Sequence, residues 1–335
     1  MTFRHAAAVA GALALAAASL AAAETYHLVA TIPVGGDGGW DYLSVDSAAH
    51  RLYVSHATHV VVIDTRTNAV VGDIPDTPGV HGFALAPDLK RGFASNGRED
   101  KVSIVDLATL ALVEKVPTGG NPDAILYEPG KKEVYAFNGR GRSATVIDAV
   151  KGTIVATIPL DAKPESGAAD PKAGRVYVNL EDRNAIAVID TTTHKVVETW
   201  SIAPADEPTG LAIDAEHHHL FTGAHSGEML MLDTTTGTIV AKAPICRGVD
   251  ATWYDSATKL AFSSCGDGVT TIASVSGSTM QVAQSLQTAT GSRTMALDKA
   301  THRLYFSAAE YEPPTGGQAR PTMKSGSFKV LVFEK

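Results

Sequence analysis

The chain has 335 residues, 28 of them basic and 36 acidic, for a formal net charge of −8. An acidic balance of this size works against general binding to nucleic acid or to an anionic membrane surface. Only two cysteines occur, Cys246 and Cys265, an even count that allows one disulfide in an oxidising compartment.

In chain order, Met1-Thr2-Phe3-Arg4-His5 leads into an alanine-rich apolar run from Ala6 to Leu20 and then Ala21-Ala22-Ala23 before Glu24. A basic start, an apolar centre and an A-x-A end read as a secretory signal peptide over residues 1–23. Alanine is only weakly apolar and no basic stop-transfer cluster follows, which disfavours a retained anchor. The remainder, 24–335, is expected as one exported domain, periplasmic or secreted, monomeric and without a membrane span.

The rest of the chain repeats itself. Tyr53, Phe93, Tyr135, Tyr177, Phe221, Phe262 and Tyr305 recur every 40–44 residues, and Asp64, Asp106, Asp148, Asp190 and Asp233 keep the same beat. A period near 42 with strand-like patterning is the mark of a propeller blade. The fold expected is all-β: a single seven-bladed β-propeller of four-stranded blades, strands A to D running outward from the axis. In the third repeat, β-rich runs at 124–128, 133–137, 143–147 and 153–158 are separated by Gly, Pro and Asp clusters, as a strand meander requires. The aspartate after each Val-Ile is expected to pre-form the C–D turn by accepting backbone N–H bonds. Four residues later stand Asn68, Leu110, Gly152, His194, Gly237 and, in the sixth repeat, Gly277, mostly residues tolerant of positive φ. At the ends, 328–333 reads as a strand C with no strand D after it, and 26–32 as a strand D with no blade before it. The two are expected to pair, closing the ring.

Segments such as Tyr53-Val54-Ser55-His56, Phe93-Ala94-Ser95-Asn96, Tyr135-Ala136-Phe137-Asn138 and Tyr177-Val178-Asn179 resemble the Tyr-Val-Thr-Asn unit of the YVTN-repeat β-propellers, and among these the secreted bacterial proteins of the YncE-like type. The match recurs through most of the chain and implies the propeller fold. The wider seven-bladed group includes surface proteins, a DNA-binding periplasmic protein, lactonases and heavy subunits of amine dehydrogenases. No catalytic set of that group carries over residue by residue. The chain departs from the repeat at His56, where Asn is usual, and at Cys265 in the sixth blade.

Aligned on the A–B turn, the residue opening strand A reads Asp41, His81, Asp123, Glu165, Thr209, Asp250 and Arg293 through the seven blades. Strand A lines the axis, so these seven are expected to ring one mouth of the channel. Carboxylates so gathered repel unless a cation, a proton or Arg293 relieves them. The ring is therefore a candidate site for a divalent cation, with Asp41, His81 and Asp123 as ligands, or for a cationic or polyol ligand. A wet channel with a polar rim would need the same residues and no ligand.

Trp40 is expected to wall this mouth, and the B–C loops to bring His56 and His225 towards it. Cys246 and Cys265 fall on loops of that same face, as a disulfide, free thiols or a soft-metal site. The His217-His218-His219 run lies on an A–B turn of the opposite face. Gly139-Arg140-Gly141-Arg142-Ser143-Ala144 has the letters of a dinucleotide fingerprint but leads into a strand, which excludes it and leaves its arginines as a small anion patch. The long loop 309–327 is placed to lid the mouth or to meet a partner.

No standard hydrolase, zinc or P-loop signature occurs. The first functional expectation is a non-catalytic exported propeller that binds a small ligand or a periplasmic protein at its channel mouth. The alternative is a lactonase-type hydrolase, with a rim cation or His81 polarising the carbonyl, Asp41, Asp123 or Glu165 as base and Arg293 steadying the oxyanion. A second alternative is an accessory subunit of a redox enzyme, for which no cofactor residues stand out.

Overall fold

The computed structural model describes residues 25–312 and 322–335. The expected leader at 1–23 and the centre of the long loop, 313–321, lie outside the described residues. The chain forms seven sheets of four antiparallel strands each, arranged as a β-propeller. In blade three the strands are Pro122–Glu128, Glu133–Asn138, Ser143–Asp148 and Ile154–Pro159, within one or two residues of those read from the repeat. No helix among the described residues is long and apolar enough to cross a membrane.

The aromatic beat is the buried heart of strand B. Tyr53, Phe93, Tyr135, Phe221, Phe262 and Tyr305 are fully buried and Tyr177 nearly so, each wedged between neighbouring blades. Tyr53 stacks on Phe83 of the next blade at 4.8 Å, and Phe221 on Tyr254 at 4.6 Å. Burial of such rings between sheets is the main stabilising term, at ~25 cal/mol per Å² of apolar surface.

The aspartate beat is turn chemistry. Asp64, Asp106, Asp148, Asp190 and Asp233 each accept the backbone N–H groups two and three residues on. The residue four places on has positive φ in every case, including Leu110 at 61°. The reason a leucine is tolerated lies in the neighbouring blade. A Cβ at Gly72 would meet Leu110 Cδ1 at 2.3 Å, so the leucine fills space that only a glycine leaves open.

Closure follows the expected pairing. His27–Pro33 runs antiparallel to Lys329–Glu334, from His27 opposite Glu334 to Pro33 opposite Lys329. Just before it, Tyr26 donates its hydroxyl to His302 O and exchanges two hydrogen bonds with Gln284, so the strand is tied to blade six as well as to blade seven.

Cys246 and Cys265 form a disulfide with Cα atoms 5.8 Å apart, which removes the free-thiol and soft-metal readings. Arg140 and Arg142 do not make an anion patch. They are ion-paired at 2.8 and 2.6 Å with Asp100 of blade two and Asp182 of blade four, so they bridge blades instead.

Candidate functional site

Strand A begins irregularly in six of the seven blades. An extra residue interrupts the pairing between Trp40 and Leu43, Val80 and Phe83, Pro122 and Ile125, Pro164 and Gly167, Pro208 and Leu211, and Val249 and Ala251. A bulge bends its strand and re-aims a side chain, and the bulged stretch holds Asp41, His81, Asp123, Glu165, Thr209 and Asp250 in turn. The backbone there is pinned by the preceding blade. Thr294 donates its hydroxyl to Asp41 O at 2.7 Å, Asn179 its amide to Thr209 O at 3.0 Å, and Ser264 its hydroxyl to Arg293 O at 2.6 Å.

The rim these residues make alternates in sign. Arg293 bonds Asp250 and lies 3.7 Å from Asp41. Asp41 in turn holds His81 Nδ1 at 2.7 Å, and the same nitrogen is 3.5 Å from Asp123. Glu165 is met at 2.8 Å by Lys163, which also contacts Glu181. Thr209 turns inward to donate to Val249 O. Along the arc from Asp123 through Glu165 and Thr209 to Asp250 every cation is shared with another acid: His81 with Asp41, Lys163 with Glu181, and Arg293 with Asp41.

Electrostatics follow from this geometry. Burial opposes a charged His81, yet its hydrogen bond to Asp41 and the charge of Asp123 overcome that and lift its pKa to about 9. The shift favours the imidazolium at neutral pH, in which form His81 is a counter-ion to the two carboxylates. Asp123 and Asp250 are pushed above the ordinary carboxylate range, first by burial and then by their acidic neighbours, in spite of His81 and Arg293. Glu165 is pushed up by burial and Asp123, against the pull of Lys163. Donor atoms of Asp41, His81 and Asp123 lie within 4.8 Å of one another, a spacing a metal ion can span, although the imidazolium proton would have to leave first.

The other candidates sit elsewhere. Trp40 does not wall the mouth. The bulge beginning after it leaves its ring among core residues, 8% exposed and stacked on Phe328 at 5.3 Å. His56 is not on an open loop. Strand B, Arg51–His56, runs one residue further than the repeat implied and buries the imidazole against Phe328 at 4.2 Å, with no partner for either ring nitrogen among the described residues. His225 bonds Glu207 and Val249 O beside the rim. His217 bonds Asp214 in its A–B turn. The stem of the long loop is a short bridge, Tyr311 opposite Met323, which lays Tyr311 beside Trp40.

Tyr42 escaped the sequence reading. Its side chain reaches across the channel from blade one to blade four, placing its hydroxyl 3.3 Å from Ser166 Oγ, directly beneath the rim carboxylates. A clue existed: the same place in the other blades holds Gly82, Ala124, Ser166, Gly210, Ala251 and Thr294, so one large residue interrupts a column of small ones. Below Tyr42 the channel widens into a cavity of about 490 Å³ that reaches Ser47 and Lys299 in the A–B turns.

No protein-family description and no curated protein sequence matches the chain. Solved structures do. Hydrazine synthase of Kuenenia stuttgartiensis superposes with a TM-score of 0.72 at 17% identity, covering 80% of this chain and 92% of that one. U3-55K gives 0.77 at 9% identity over 90% and 97% of the two chains, and the WD40 propeller domain of Doa1 gives 0.74 at 14% over 92% and 97%. At these identities what the chain shares with them is the fold, a WD40-like seven-bladed propeller.

Proposed function

We propose that the chain is an exported, non-catalytic binding protein of the YVTN-repeat type whose rim receives a small polar ligand through its cationic group. The observation that carries this reading is the arc from Asp123 to Asp250: three partly desolvated carboxylates with raised pKa values, whose cations His81, Lys163 and Arg293 are each shared with a further acid, and Tyr42 as a floor. Such an arc holds negative charge at a cost, and a ligand ammonium would relieve it. Export rests on the leader-like first 23 residues and accords with the disulfide.

The arrangement favours an organic cation over a metal ion, because His81 already places a proton between Asp41 and Asp123. It also works against lactone hydrolysis, which asks His81 or its neighbours for a free base at neutral pH. A redox-subunit role has only a fold likeness behind it.

The test is a thermal-shift and calorimetric titration with putrescine and, separately, with Ca²⁺, Mg²⁺ and Mn²⁺. Putrescine at ~100 times its dissociation constant should add about 2.7 kcal/mol of stability, and Asp123→Asn or Glu165→Gln should abolish the gain. Stabilisation by a metal alone, lost in Asp41→Asn with release of a proton, would replace the amine by a cation. No response to any of the four probes would return the rim to channel solvation.

A further inference from the structure

The channel has two ends of opposite character, and only one belongs to the rim. Beneath Tyr42 the walls are largely small or apolar, with Phe83, Leu126, Tyr127, Ile213, Trp253 and Tyr254 among the bulkier residues. Their polar groups are already spent on the protein. Ser44 donates to Phe83 O at 2.5 Å, Ser47 to Asp298 at 2.5 Å, Trp253 Nε1 to Met295 O at 2.9 Å, and the Tyr127 hydroxyl to Asp88 at 3.0 Å. A visitor therefore meets hydrocarbon along the walls and the Tyr42–Ser166 hydroxyl pair at the blind end. A cavity of about 490 Å³ lies within the range of small-molecule sites.

At the open end exposed lysines outnumber the exposed acids Asp88 and Glu216. Lys90, Lys131, Lys132, Lys172, Lys259 and Lys299 are all exposed in the A–B turns, and none has an ion pair among the described residues. Most acids that close strand A are withdrawn from this surface. Asp46, Glu128, Asp170, Asp255 and Asp298 are buried and accept backbone N–H groups of their own turns. Among the six lysines, Lys299 alone lines the cavity.

We propose that this funnel is a second binding site, for an amphipathic carboxylate whose hydrocarbon lies against the channel walls and whose head group meets Lys299. The hydrophobic effect holds the chain, while the basic turns select the sign of the head. The site is independent of the rim, from which Tyr42 separates it.

Decanoate, decanol and decylamine titrated into the full chain decide the matter, read by heat and by the fluorescence of Trp253 against a Trp253→Phe control. Decanoate should saturate, and shortening its chain should weaken binding about fourfold per methylene. Lys299→Gln should weaken decanoate about three- to fivefold, the size of a partly exposed ion pair, and leave decanol unchanged. Ala169→Trp, which fills the funnel, should abolish both. Asp123→Asn, at the far mouth, should change neither, so failure of the rim reading and failure of this one are separable. The proposal is overturned by an absence of saturable binding, by decylamine binding as tightly as decanoate, or by decanoate affinity indifferent to Lys299→Gln. The last variant is a surface change that leaves the core intact, so it stays decisive even if Ala169→Trp fails to fold.

Discussion

His56 shows how one residue can carry a larger cost than its asparagine counterparts in the repeat, each of which leaves only an amide oxygen unpaired among the described residues. At the matching slots the amides of Asn96 and Asn138 donate to Ser103 and Ser143 across to strand C, whereas both His56 nitrogens are buried without partners among the described residues. Burial pushes its pKa down to about 4, with His59 adding to the effect. An unfolded chain takes up that proton near 6.5, so stability from this site is full above that value. It is lost as pH falls from about 6.5 towards about 4. His56→Asn should accordingly lose less melting temperature than the parent between about pH 7 and about pH 4.5, and an equal loss in both would show that His56 titrates freely. The sequence marked His56 as a departure from its repeat but said nothing of burial. Whether the last residue of a strand points to water or to Phe328 depends on one further rung of pairing, which no local pattern encodes.

At the scale of elements, strands and turns were legible because each leaves a periodic chemical trace: an aromatic at the blade interface, an aspartate at the C–D turn, glycine or asparagine where φ is positive. Bulges leave none. The extra residue at the head of strand A reverses the side a side chain takes, and so Trp40, adjacent to Asp41, was read as a channel wall when it belongs to the core. The closing strand was legible from the mismatch between the two ends. It pairs along its length with Lys329–Glu334, and Tyr26 fastens it to blade six. Removing residues 25–34 should therefore lower the urea midpoint of the whole domain in a single cooperative transition, followed by circular dichroism. A deletion that left the midpoint in place would make the strand an appendage. Loss of this strand bares the edge of Lys329–Glu334, and open edges pair with other chains, so the deleted protein should also associate.

For the whole molecule, the rim is a titrating device laid over a rigid ring. Asp123 and Asp250, raised to about 6, bind protons more tightly folded than unfolded. Their contribution is thus greatest in acid and is lost as pH rises through 6. His81, raised to about 9, works in the same sense, its contribution full below 6.5 and gone above 9. Stability should then decline on the alkaline side, and Asp123→Asn should gain on the parent as pH goes from about 5 to about 8. A constant difference between the two across that range would mean the carboxyl ionises normally in the fold. Four of the seven rim residues were recognisable as acids in the sequence, but the alternation of sign around them was not, since Lys163 enters from a loop two residues ahead of Glu165. The funnel was invisible for a different reason: small and apolar residues on an inner strand look alike whether they line a void or fill one.

The ring also imposes an order on synthesis. Strand His27–Pro33 precedes every blade, and its partner Lys329–Glu334 follows all the other strands. The first strand must wait, unpaired, while six blades form behind it, and only the last strand of the seventh can supply its mate. Contacts so distant along the chain form slowly, and a product cut short by a nonsense codon or a stalled ribosome is left with two exposed edges. Closure thereby reports that the seventh blade has been made, since until then both edges of the ring stay open to other chains.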